Sequence, residues 1–73
     1  MTLAKLLDHA RATLAQVEAL DAAWDTLPRR RQWREVYADT EADEQIGRSK
    51  AQLRAFVSHL EWRVAQERQG DKT

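Results

Sequence analysis

Residues 3–24 read LAKLLDHARATLAQVEALDAAW. Leu3, Leu7, Ala10, Leu14, Val17 and Trp24 recur at alternating spacings near three and four, which is the period of one helix face. Asp21 interrupts the series. Either Leu20 takes the inward place in a shifted stripe, or Asp21 is a polar core residue that fixes pairing, as such positions do in coiled coils. Leu6, Leu20 and Leu27 make a second apolar row beside the first, with Thr13 between Leu6 and Leu20. Alanines fill much of the remaining surface, favouring helix and allowing close approach. The pattern predicts a first helix over about 2–25 that is apolar around more than one stripe and contacts more than one neighbour.

Working outward, Pro28 disfavours helical geometry in Leu27 and suits the first turn of a following helix, with Asp25 or Thr26 as its cap. The segment LPRRRQWREVY, residues 27–37, then predicts a short middle helix over about 29–38. Thr40 followed by Asp43 resembles an N-cap pattern, and Glu41, Asp43 and Glu44 suit the positive end of a helix. A third helix is therefore expected over about 41–69, with Ile46, Leu53, Phe56, Val57, Leu60 and Val64 as its core positions. Glu44 and Arg48 form a favourable pair four residues apart, and Gly47 weakens the first turns by about 1 kcal/mol relative to alanine. Residues 70–73 are expected to be a disordered tail. A competing reading makes 29–69 one long helix; a kink or break within 38–47 is preferred. In both, the first helix turns back antiparallel on the last, giving a single helical domain over 1–69.

At 73 residues the chain holds one small domain, whose core alone stabilises weakly. It has no cysteine, which removes disulfides and thiolate metal sites and leaves oligomerisation as the common remaining support. The missing cysteines also fit a reducing cytoplasm. No apolar run reaches the ~20 residues that cross a bilayer, and the N-terminal segment lacks signal-peptide character. Arginine outnumbers lysine nine to three and asparagine is absent, a bias of GC-rich bacterial or phage genomes.

Net charge is zero, against a general nucleic-acid binder. Its distribution is uneven: residues 28–37 sum to +3 and 38–47 to −4, so a basic block abuts an acidic one. Arg29, Arg30 and Arg31 fall in a first helical turn, where cations are locally unfavourable. With Trp33, Arg34 and Tyr37 they are candidate partner-binding residues for an acidic protein surface or single-stranded nucleic acid. The plain reading is a solvated helix start whose arginines pair with Asp25, Glu35 or Asp39.

Trp62 lies well off the expected core stripe and shares its side with Ala51, Ala55, Ser58 and Ala65. A tryptophan among small residues is a good docking surface for another helix. Leu6, Leu20, Ala51, Ala55 and Trp62 are accordingly expected to form an oligomer interface, with Trp62 also a partner anchor. Trp24 and Trp33 flank the turn and are expected to pack there. His9 and His59 could meet across the hairpin, which is weak ground for a metal; no catalytic, cofactor or phosphate-loop motif is present, so no enzyme is expected.

The sequence therefore predicts an all-α antiparallel helical hairpin with a short or kinked middle helix, assembling into a dimeric bundle. The functional expectation is a small cytoplasmic, non-enzymatic regulator or adaptor of the inhibitor, anti-activator or co-chaperone kind, of phage or mobile-element type, acting on a larger protein. A dimeric nucleic-acid-binding regulator using Arg29 to Arg34 is the alternative.

Overall fold

The computed structural model describes residues 1–28 and 33–70, without the side chains of Trp33, Arg34, Glu35 and Tyr37. Its elements are two helices, α1 (Leu3–Asp25) and α2 (Trp33–Gly70), packed against each other, and there is no strand among the described residues. At 1.5 Å per residue the helices run about 35 Å and about 57 Å. The molecule is a rod of 62 × 16 × 15 Å.

Local chemistry sets the ends of α1. Thr2 is extended, and its Oγ1 accepts the Lys5 backbone N–H at 3.2 Å, capping the N-terminus. At the other end the Thr26 and Leu27 N–H groups donate to the carbonyls of Ala23 and Trp24, both at 3.1 Å. The Thr26 hydroxyl also donates to Ala23 O. Pro28, which has no N–H, follows directly.

The seam between the helices follows one rule. On α1 it consists of Leu3, Leu7, Ala10, Leu14, Val17, Asp21 and Trp24, all buried or half-buried. On α2 the corresponding series is Asp43, Ile46, Lys50, Leu53, Val57, Leu60 and Val64. Both alternate steps of three and four, the spacing that keeps two helices in register along their length. The core sits at the end away from the turn: Leu7, Ala10, Val57 and Leu60 are buried, with Leu3, Leu6, Leu14 and Val64 packed around them. Towards the turn the seam becomes polar. Lys50 Nζ donates to Asp21 Oδ2, and Trp24 Nε1 donates to Asp43 Oδ1.

Three expectations change here. The preferred break within 38–47 is replaced by one unbroken helix from Trp33 to Gly70. Thr40 does not cap a new helix; its hydroxyl donates back to Val36 O at 2.9 Å, as Ser49 does to Gln45 O. Glu44 and Arg48 approach at 3.9 Å across one turn, and Gly47 keeps a negative φ. The start of a middle helix at 29 lies outside the described residues; of the tail expected over 70–73, Gly70 instead ends α2, and 71–73 lie outside them. Phe56, expected in the core, is 44% exposed, because Leu53, Val57 and Leu60 fill the seam and leave it on the flank. The shifted-stripe reading of Asp21 also fails: Leu20 is 59% exposed, and Asp21 keeps the inward place.

Candidate protein-binding surfaces

With α1 covering one side of α2, the rest of each helix is surface. On the back of α2, Ala51, Ala55, Ser58, Trp62 and Ala65 are exposed and spaced four, three, four, three. At about 100° per residue Trp62 lies about 160° from Leu60 round the helix and about 140° from Val57, so it faces directly away from the seam. It is 59% exposed, and the His59 ring stacks on the indole with centroids 6.2 Å apart and planes 25° from parallel. An aromatic plate standing among alanines is a shape that another helix or a shallow pocket can close on.

The two flanks of the hairpin differ in chemistry. On one, Arg11 meets Glu61 at 3.7 Å. Each directly follows a seam residue, Ala10 or Leu60. Glu18 and Arg54, which follow Val17 and Leu53, and Arg68, seven residues beyond Glu61, continue this flank, and all are exposed. On the other flank lie the residues directly preceding every second seam residue (Leu7, Leu14 and Asp21 on α1; Lys50, Val57 and Val64 on α2): Leu6, Thr13 and Leu20, and Ser49, Phe56 and Arg63. Three of these six are large apolar side chains, and one, Arg63, is charged. Leu20 and Trp62, assigned from sequence to one oligomer interface, thus stand on different sides of the molecule, and Ala51 and Ala55 go with Trp62.

Arg29, Arg30 and Arg31 lie outside the described residues, as do the side chains of Trp33, Arg34 and Tyr37; packing of Trp24 on Trp33 falls with them. Trp24 instead binds Asp43. Val36 is exposed on the part of α2 that runs past the end of α1. His9 and His59 are both exposed, and no cluster of histidine and carboxylate side chains suited to a metal occurs among the described residues. A shallow depression beside His9 is lined by Lys5, Asp8 and Ala12. No helix among the described residues is long and apolar enough to cross a membrane.

Two positions that shape these surfaces escaped the sequence reading. Lys50 is the cation opposite Asp21, and its signal was a lysine on the spacing of Ile46, Leu53 and Val57. Phe56 is a flank residue, and its signal was its place directly before the seam residue Val57. The chain matches no family model, no curated protein and no solved structure.

Proposed function

We propose that the chain is a small non-enzymatic adaptor or regulator, of the inhibitor, anti-activator or co-chaperone kind, working in the cytoplasm as a pair of identical chains. Its action is occlusion: a preformed helical face covers a functional surface of a larger protein. The observation that carries this reading is Trp62, a large apolar side chain 59% exposed on a rigid helix and flanked by small residues. Burying an indole of this kind in a partner's pocket contributes about 2 kcal/mol or more to binding. The rigid backbone beneath it limits the entropy lost on docking.

The test uses the tagged full chain as bait in a lysate of its host. Wild type is expected to retain a defined protein in stoichiometric amount, and Trp62→Ala to lose it with its helical circular dichroism unchanged. Equal retention by both chains would remove Trp62 from the contact and with it the basis of the reading.

A further inference from the structure

The less charged flank of the hairpin raises a separate question: what covers Leu20 and Phe56? A compact monomer of 8.5 kDa exposes about 4,700 Å², whereas this chain exposes 6153 Å². The excess is about 1,500 Å² per chain, and a stable interface removes roughly 800 Å² from each partner. The radius of gyration agrees, at 17.4 Å against about 11 Å for a compact chain of this length. One more hairpin of the same size, laid alongside, removes part of this excess from each chain.

The flanks decide which side it covers. Arg11, Glu18, Arg54, Glu61 and Arg68 hold one flank in water. The opposite flank carries one charge, Arg63, at its far end, and otherwise Leu6, Thr13, Leu20, Ser49 and Phe56. Levels along this flank follow from the Lys50–Asp21 bond. Leu20 and Ser49 directly precede those two residues, so they lie side by side. One heptad further on, Thr13 lies beside Phe56. These two levels each pair one large side chain with one small one, and the large one changes helix between them; at the next level Leu6 lies beside Arg63. A two-fold axis parallel to the helices lays α2 of one copy on α1 of the other at the same level. Leu20 of one copy then meets Ser49 of the other, and Phe56 meets Thr13. Large against small is the complementarity that packed layers need.

Resting on the proposed protein-contact function, we infer that the Leu6–Leu20–Phe56 flank is the self-association face, forming a two-fold four-helix bundle with a second copy of this chain. The Trp62 face is left outward for a different protein, so the two surfaces are separable.

Sedimentation equilibrium of the full chain tests this. Wild type is expected at twice the 8.5 kDa chain mass. Leu20→Glu places a charge in the apolar contact and is expected to weaken the pair at least about a hundredfold, giving the single-chain mass. Trp62→Ala is expected to stay paired. Should Leu20→Glu fail to fold, the chain's lack of cysteine allows a second measurement. A short bis-maleimide is expected to join Ser49→Cys chains into dimers far faster than Ser58→Cys chains, which carry the thiol on the back of α2. A single-chain mass for wild type, dissociation by Trp62→Ala, or faster joining through Ser58→Cys would each overturn the assignment. So would a mass that rises only when a different protein is added. A single-chain mass would also remove pairing from the proposed function, but capture of a target that is lost in Trp62→Ala is read separately in the lysate, which keeps the two proposals apart.

Discussion

Asp21 is the residue where local pattern and packing disagree. It occupies an inward position in a row of apolar side chains, yet it is an acid. Lys50 resolves the conflict: the two side chains are 27% and 23% exposed and bond across the seam. A pair with this much solvent is less screened than a surface one and costs less desolvation than a fully buried one. Lys50→Ala is expected to destabilise the hairpin by about 1–2 kcal/mol, because Asp21 then keeps its half-buried charge without a cation. Replacing both residues with leucine is expected to stabilise it by about 1–2 kcal/mol over wild type, at the expense of fixed register. Urea midpoints for wild type, Lys50→Ala and the double variant check both; an unchanged midpoint in Lys50→Ala would mean that the pair is energetically idle. Asp21 was legible as an anomaly in the sequence. Its partner was not, because register across a turn is set by geometry that a single chain's spacing leaves open.

At the scale of the helix, α2 shows where sequence signals stop being decisive. The seam residues from Ile46 to Val64 announced themselves by spacing. Residues 38–45 offered only Ala38 and Ala42 as apolar side chains, so nothing in the pattern separated one helix from two. Thr40 looked like a cap because hydroxyls cap helices, but the same hydroxyl also bonds the carbonyl four residues back, and only the backbone path decides between them. Within this continuous helix Gly47 has open space around it: an added Cβ meets nothing within 4 Å. Gly47→Ala is therefore expected to stabilise the chain by about 0.5–1 kcal/mol through lost unfolded-state freedom and better helix propensity. A melting temperature that falls in this variant would show that the helix bends at Gly47 and that the glycine serves the bend. The flanks were partly legible too. The Leu6–Leu20 row stood out in the sequence, while Phe56 was hidden by an apolar neighbourhood in which several residues fitted the same stripe.

For the molecule as a whole, Leu7, Ala10, Val57 and Leu60 are the only buried apolar side chains among the described residues, and Leu60 is the most enclosed at 2% exposed. Leu60→Ala is expected to cost about 2–4 kcal/mol, enough to unfold most of an isolated hairpin with so small a core. Far-UV circular dichroism reads this directly, and native helicity in that variant would show that stability resides elsewhere. The same cluster lies at the end of the rod farthest from the turn, joining residues near position 10 to residues near position 60. During synthesis α1 leaves the ribosome first, and the acidic segment 38–45 offers it only the alanines 38 and 42 as apolar side chains. Zipping from the turn gains less, since Trp24–Asp43 and Asp21–Lys50 are polar pairs and Ile46 is the one apolar seam residue of α2 between them. The nascent chain must wait, unpaired, until the segment around Leu60 has cleared the exit tunnel, and only then does closure of the long loop gain the burial that holds it.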